Sequence, residues 1–191
     1  MNTKNFNVVD IVIAKLRMGQ ILKYVEKNDV VLDFGCGSKS YLLNNTSNVI
    51  KRGVGIDYEV ISSKQNNIEY INYKYSNKLS FKDKTFDKIF LLAVLEHVNL
   101  DEVDNLFLEF RRILKDNGKI ILTTPRPLSK LILEFLAFKL KIISTVEIAD
   151  HKKYYNKNDI LIISSKSNLK LVSYKLFQFG INSCAVLEKN N

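Results

Sequence analysis

A short apolar run that ends in two glycines constrains the fold of this chain more than any other feature. Val30–Phe34 is a β-branched run typical of a buried strand, and Gly35-Cys36-Gly37 follows it directly. Glycine allows a sharp turn and lets a ligand approach the backbone, while a helix that starts just beyond presents its N-terminal amides. The order of strand, glycine turn and helix is typical of a nucleotide-binding α/β fold.

Apolar runs and helical spacings alternate along the rest of the chain. Helices are predicted over Val8–Val25, around Ser40–Leu43 and over Leu100–Leu114, the last ended by a turn at Asn117-Gly118. Further strands are predicted at Gly53–Ile56, Ile68–Tyr73, Phe86–Leu92 and Lys119–Thr124, with a short helix or loop near Val60–Lys64. Strands that alternate with helices indicate a parallel sheet with helices on both faces.

The end of the chain has a different pattern, because two strand-like runs follow each other without a helix between them. They are Leu169–Phe179 and Cys184–Glu188, joined by a turn at Gly180-Ile181-Asn182. The predicted fold is therefore α/β, Rossmann-like and doubly wound. Its mostly parallel seven-stranded sheet is closed by this C-terminal antiparallel hairpin.

Length and composition limit the architecture. The 191 residues, 46% hydrophobic and 26% charged, predict one domain over residues 1–191 and exclude a disordered or multi-span membrane protein. The two cysteines, Cys36 and Cys184, indicate a reducing, cytoplasmic compartment. The net charge of +9 either attracts anionic partners or reflects a solvated basic surface, because the basic residues form no block.

A carboxylate at the end of the second predicted strand strengthens the prediction of a bound ligand. Asp57 directly follows Gly53–Ile56, in the segment GVGIDYE. A carboxylate at this place can accept hydrogen bonds from both hydroxyls of a ribose. Together with the glycine turn, it implies a cofactor that contains a nucleoside.

Four segments, in this order, resemble the class I S-adenosylmethionine-dependent methyltransferases of the small-molecule type. They are Asp33–Gly37 (DFGCG), Gly55–Glu59 (GIDYE), Phe86–Val98 (FDKIFLLAVLEHV) and Arg111–Pro127 (RRILKDNGKIILTTPRP). The resemblance covers about Val30–Pro127, and the hairpin suits the last two strands of that fold. It implies methyl transfer with S-adenosylmethionine as the cofactor.

The resemblance also implies a role for each matching position. The first motif would line the methionine part of the cofactor, with Asp33, Phe34, Gly35, Cys36 and Gly37. Asp57 would hold the ribose hydroxyls, and Tyr58 would lie along the adenine. Leu92 and Ala93 would lie beside the sulfonium, and Glu96 and His97 would face the acceptor.

Two departures from the family pattern bear on cofactor affinity. Ser38 and Lys39 stand where a third glycine is often found, so the backbone of the loop has less conformational freedom and the loop carries a cation. An acidic residue often binds the adenine amine after the third strand, but Tyr73–Leu79 offers only Ser76 and Asn77 there.

The chain has two histidines, and each is either a general base or acceptor-positioning residue, or a hydrogen-bonded structural residue. His97 follows the fourth predicted strand, and His151 lies in Asp150–Ile160 (DHKKYYNKNDI). This second segment either faces the acceptor with Tyr154 and Tyr155 or forms a surface loop. Beyond it, Asn156 or Asn158 would cap a helix over Asp159–Ser165. No metal site is predicted from the sequence.

An apolar insertion, Pro127–Ser144, separates the fifth strand from this segment. It packs wholly on the core, or forms a lid over an apolar acceptor, or lies as an interfacial helix on anionic lipid through Lys130, Lys139 and Lys141. It is too short and too charged to span a bilayer. In the third case the cytoplasmic protein would be peripheral to the membrane.

The predicted function is methyl transfer to oxygen or nitrogen of a small acceptor, which the insertion and the basic charge suggest is sugar- or lipid-linked. The alternatives are a non-catalytic S-adenosylmethionine-binding or interaction subunit and an RNA methyltransferase. Nucleic acid is disfavoured because the Leu92–Glu96 segment lacks the Asn/Asp-Pro-Pro-aromatic signature of base methylases. A nicotinamide-dependent oxidoreductase is disfavoured because Ser40 stands at the third glycine position of its motif.

Overall fold

The structure is a computed structural model that describes residues 8–130 and 149–190, with side chains from residue 14 onward. Its strands are β1 (Val30–Phe34), β2 (Arg52–Asp57), β3 (Ser63–Gln65), β4 (Ile68–Asn72), β5 (Phe86–Leu92), β6 (Leu114–Pro125), β7 (Leu169–Phe177) and β8 (Asn182–Lys189). Its α-helices in these ranges are α1 (Val8–Ile21), α2 (Tyr41–Thr46), α3 (Val103–Ile113) and α4 (Lys157–Lys166). Short 3₁₀ turns lie at Leu22–Tyr24, Leu95–His97 and Pro127–Ser129.

The strands form one sheet in the order β3-β4-β2-β1-β5-β6-β8-β7. The neighbours from β4 to β6 are parallel, whereas β8 is antiparallel to both β6 and β7. The predicted fold class, a mostly parallel α/β sheet with a C-terminal antiparallel hairpin, is confirmed. Because β1 lies in the middle of the parallel part, the glycine turn after it opens at the edge where the carboxyl ends of β2 and β5 also meet.

Successive residues of β1 point to opposite faces of the sheet, and each face has its own core. Leu32 packs with α3 and α4, in a cluster that includes Phe110 and Ile163. Val31 packs on the other face with α1 and α2, in a cluster that includes Ile21 and Leu42. Helices therefore cover both faces, as the strand patterns predicted.

The predicted end of the third helix is wrong. The helix ends at Ile113, and the chain passes directly into β6 at Leu114. The pairing of β5 with β6 shifts from Phe86 with Leu114 to Lys88 with Lys119, so Asn117-Gly118 lies in a bulge of the strand. Gly118 is required there because a Cβ would lie 2.9 Å from the backbone oxygen of Asp87.

Two further local predictions need correction. The helix or loop expected near Val60–Lys64 contains the start of β3, a short edge strand antiparallel to β4. The sheet formed by the described residues therefore has eight strands rather than seven. At the other end, Asn156 and not Asn158 caps α4. Its side chain accepts from Asp159 N–H at 3.0 Å, and the Asp159 carboxylate accepts from Asn156 N–H at 2.9 Å.

Most of the apolar insertion Pro127–Ser144 lies outside the described residues, which include only its first turn, Pro127–Ser129, and Lys130. Among the helices of the described ranges, none combines the length and apolar character that crossing a bilayer requires.

Candidate functional site at the carboxyl edge of the sheet

The glycine turn brings the first two predicted motifs into contact. Gly35 and Gly37 have positive φ angles of 73° and 63°, a conformation that favours glycine. The Gly37 N–H donates to Asp57 Oδ2 at 2.9 Å, and the Glu59 N–H donates to Asp57 Oδ1 at 2.8 Å. The carboxylate of Asp57 is therefore fixed at the rim of the turn, at the end of β2.

Asp33 lies behind the turn and is buried. Burial, followed by the nearby charge of Asp57, raises the pKa of Asp33 to about 7. The same two effects, burial and the neighbouring carboxylates, raise the pKa of the Cys36 thiol above its usual value. Cys36 is thus a neutral thiol that packs in the turn rather than a nucleophile.

A cavity of about 100 Å³ opens in front of this turn. Four of its lining residues were predicted as cofactor contacts: Asp33, Gly35, Cys36 and Leu92. The other five come from the first two helices, and none was predicted: Ala14, Arg17, Met18, Tyr41 and Leu42. The helical spacing of α1 predicted the helix, but no local signal indicated that Arg17 would lie over the crevice.

The other five predicted cofactor residues are not among those that line the cavity: Phe34, Gly37, Asp57, Tyr58 and Ala93. Tyr58 is 68% exposed at the edge beyond Asp57. Phe34 faces the core, where its ring packs edge-on to Tyr75 and Phe110. Phe34 is therefore part of the hydrophobic core.

The end of β5 makes a tight turn beside the glycines. Ala93 has a φ of 58°, and its N–H donates to the Thr123 carbonyl at 2.9 Å. Val94 packs directly on Gly35. The 3₁₀ turn Leu95–His97 follows and carries Glu96 and His97.

Glu96, His97 and His151 come together although 54 positions separate the two histidines. One possible ligand atom from each lies within 4.8 Å of the others. The His97 and His151 rings meet edge to face with centroids 4.8 Å apart, and Tyr154 packs on His151 at 5.2 Å. Glu96, His97 and His151 therefore lie together with Tyr154, as expected of an acceptor site. Tyr155 is instead buried in the core.

The three cluster members differ in electrostatic environment. Burial raises the pKa of Glu96, and Thr124, His97 and Arg17 offset this only in part. Burial and the neighbouring His97 lower the pKa of His151 to about 4, so this ring is neutral at neutral pH. His97 Nδ1 lies 3.0 Å from Asp150 Oδ2. Burial raises the pKa of Asp150, but hydrogen bonds from Lys152 and His97 outweigh it and hold that pKa below its usual value.

Comparison with known proteins finds a matching family model and sequence relatives. The methyltransferase-domain family matches residues 32–122. The uncharacterized protein MJ0638 of Methanocaldococcus jannaschii is 38% identical over 102 residues, which are 52% of this chain and 42% of that protein. This chain therefore matches about two fifths of the length of that curated relative.

Solved structures share the fold along nearly the whole chain. The PH0226 protein of Pyrococcus horikoshii OT3 gives a TM-score of 0.68 at 22% identity, over 97% of this chain and 93% of that one. An S-adenosylmethionine-dependent methyltransferase of Methanosarcina mazei gives 0.64 at 18% identity, over 89% and 96%. CalO1, a calicheamicin-biosynthesis methyltransferase solved with S-adenosylhomocysteine, gives 0.66 at 12% identity, over 94% and 55%.

These solved structures bear on the fold, and the family match bears on the chemistry of the edge where the glycine turn, Asp57 and the end of β5 meet. The match over residues 32–122, the sheet order and that edge support the interpretation of this region as a class I S-adenosylmethionine-dependent methyltransferase domain.

Proposed function

We propose that the chain methylates an oxygen or nitrogen of a small, sugar- or lipid-linked acceptor that binds against Glu96, His97 and His151. The observation that carries this proposal is the continuity of the cluster with the cofactor crevice. Val94 packs on Gly35, and Glu96 follows it by two residues. Arg17, which lines the crevice, is also near enough to Glu96 to affect the pKa of that carboxyl.

The residues of the crevice fit the amino-acid part of S-adenosylmethionine. Asp33 and Arg17 place an acidic and a basic group in one cavity, which suits a ligand with an ammonium and a carboxylate. A Cβ at Gly37 would meet nothing within 4 Å, so the backbone there is open to a ligand. Asp57 and Tyr58 are not among the residues that line this cavity, so the nucleoside would extend beyond it along these two residues.

The bound cofactor supplies an electrophilic methyl group on a sulfonium. The protein therefore has to hold the acceptor atom in line with that group, which by itself supplies much of the acceleration. A hydroxyl or protonated amine acceptor must also lose a proton. His97, held by Asp150 through Nδ1, keeps Nε2 for the acceptor, whereas the low pKa of His151 makes it a weak base and a positioning residue.

Calorimetric titration with S-adenosylmethionine and S-adenosylhomocysteine tests the cofactor half of the proposal. Asp57→Ala should weaken both ligands by about 1–3 kcal/mol, the cost of losing a hydrogen-bonded carboxylate. Asp116→Asn, at the opposite edge of the sheet, is the matched control and should bind as the parent does. Folded parent protein that binds neither ligand would contradict the assignment of the crevice.

A screen that measures S-adenosylhomocysteine formation tests the acceptor half. Sugar-linked and lipid-linked hydroxyls and amines form one arm of the screen. RNA forms the other arm, because the net charge of +9 favours a nucleic-acid acceptor as the second candidate. Turnover with RNA and none with the first arm would overturn the small-molecule proposal.

A further inference from the structure

The cluster of Glu96, His97 and His151 has a feature that methyl transfer alone does not require. Glu96 is only 1% exposed, and its Oε2 has no hydrogen-bond partner among the described residues. His151 Nδ1 is likewise buried without a partner there. A buried carboxylate oxygen and a buried ring nitrogen that both lack partners are costly. Each is at the same time a ligand atom for a cation.

We propose that Glu96, His97 and His151 bind a divalent transition-metal ion. Two imidazoles and one carboxylate form a donor set that zinc and the neighbouring first-row metals accept. The ligand atoms already lie within 4.8 Å of one another. A tetrahedral site with metal bonds of about 2.1 Å has ligand atoms about 3.4 Å apart, so the most widely separated pair would close by at most about 1.4 Å on binding.

The surroundings of the cluster resemble the outer shell of a metal site. Asp150 accepts from the His97 ring at Nδ1, which fixes the tautomer and leaves Nε2 for the metal. Lys152 N–H donates to the Glu96 carbonyl at 2.7 Å, and Lys152 Nζ contacts Asp150 at 3.0 Å. These contacts hold the segment that carries His151 against the 3₁₀ turn that carries the other two ligands.

The proposed ion deepens the proposed function, and only its role in activating the acceptor rests on that function. Three protein ligands leave at least one coordination position open, and an acceptor oxygen beside the cofactor crevice could fill it. A metal-bound hydroxyl would release its proton to solvent more readily than a free one, so the ion would activate the acceptor in place of His97, whose Nε2 would then be a ligand. The metal site itself can be tested without any acceptor.

The experiment uses tag-free, chelator-treated protein titrated with Zn²⁺ by calorimetry and with Co²⁺ by visible absorption. We expect one equivalent of each metal, visible Co²⁺ bands typical of a nitrogen and oxygen site, and loss of those bands when Zn²⁺ is added. Glu96→Gln and His151→Ala should each weaken Zn²⁺ at least 10-fold, and Asp150→Asn should weaken it 10- to 100-fold. Asp116→Asn, a carboxylate in a separate polar cleft, should bind as the parent does.

The outcomes separate the metal site from methyl transfer. Parent protein that binds S-adenosylmethionine but neither metal overturns the site. Equal Zn²⁺ affinity in the parent, Glu96→Gln and His151→Ala proteins overturns it too, provided that their melting temperatures match. Metal binding that is weakened in Glu96→Gln, His151→Ala and Asp150→Asn but not in Asp116→Asn supports the site, even in a protein that transfers no methyl group.

Discussion

Val94 fills the space beside Gly35 so closely that a Cβ on residue 35 would lie 2.4 Å from Val94 Cγ2. The first and third motifs of the site are thus packed against each other without room for a single additional carbon. The turn after β1 can therefore pack this closely on the turn after β5 only because residue 35 is glycine. A larger residue at position 35 must displace one of the two turns.

Gly35→Ala tests this packing. The substitution adds both the contact with Val94 and the strain of a positive φ of 73°. We expect the free energy of unfolding to fall by about 1–3 kcal/mol and the affinity for S-adenosylmethionine to fall at least 10-fold. Gly19→Ala is the control, because its Cβ meets nothing within 4 Å inside α1 and alanine favours a helix. Equal stability of the two variants would contradict the prediction.

Asp33 should make stability depend on pH. Its pKa of about 7 in the folded protein exceeds the ordinary value of 3.8. Between these values the folded state keeps a proton that the unfolded chain has released, so the free energy of unfolding falls as pH rises toward 7 and levels off above it. Urea unfolding of the parent and of Asp33→Asn at pH 5, 6, 7 and 8 measures this effect. Parallel curves for the two proteins would refute the assigned pKa.

Arg17 should contribute to cofactor binding from the opposite side of the cavity. Arg17→Met keeps the apolar stem and removes the charge, and we expect about 10-fold weaker binding of both S-adenosylmethionine and S-adenosylhomocysteine, which share a carboxylate. Arg52→Met removes an arginine that pairs with Glu69 at the far end of β2. Calorimetry should find the second variant unchanged, and an equal loss in both would point to overall charge instead.

Asn156 should stabilise the helix that follows the His151 segment. Asn156→Ala removes one half of the capping box with Asp159, at a cost of about 1 kcal/mol in the free energy of unfolding. Asn158→Ala, two residues further along, changes the same residue type inside the helix and should be neutral or slightly stabilising. Denaturant unfolding distinguishes them, and a larger loss at residue 158 would contradict the cap seen here.

The elements that follow from local patterns could be predicted, because each signal lies within one short segment. Val30–Phe34 and Phe86–Leu92 are apolar runs bounded by turn residues, and both are strands with those bounds. The bulge at Gly118 could not be predicted in the same way. Asn-Gly after a helical pattern reads as a helix end, whereas its true cause is the approach of the Asp87 backbone from a neighbouring strand.

The same distinction between local patterns and distant contacts applies to the site. Gly37 and Asp57 could be paired from sequence, because both lie at the carboxyl ends of strands in the parallel sheet and such ends meet at one edge. The contact of His97 with His151 depends on how the segment around residue 150 returns to the sheet, and no local pattern encodes that path. The position of Arg17 could not be predicted for a related reason. A helical spacing indicates which face of α1 is apolar, but it does not indicate which residues of the helix line a ligand site.

The cavity wall formed by α1 has a thermodynamic consequence. Ala14, Arg17 and Met18 precede the region matched by the methyltransferase family, which begins at residue 32. A ligand that contacts them binds only while this helix is docked, so occupancy and docking are linked equilibria. Saturating cofactor should therefore slow amide hydrogen exchange in α1 more than in α3, which makes the first helix a reporter of whether the enzyme is loaded.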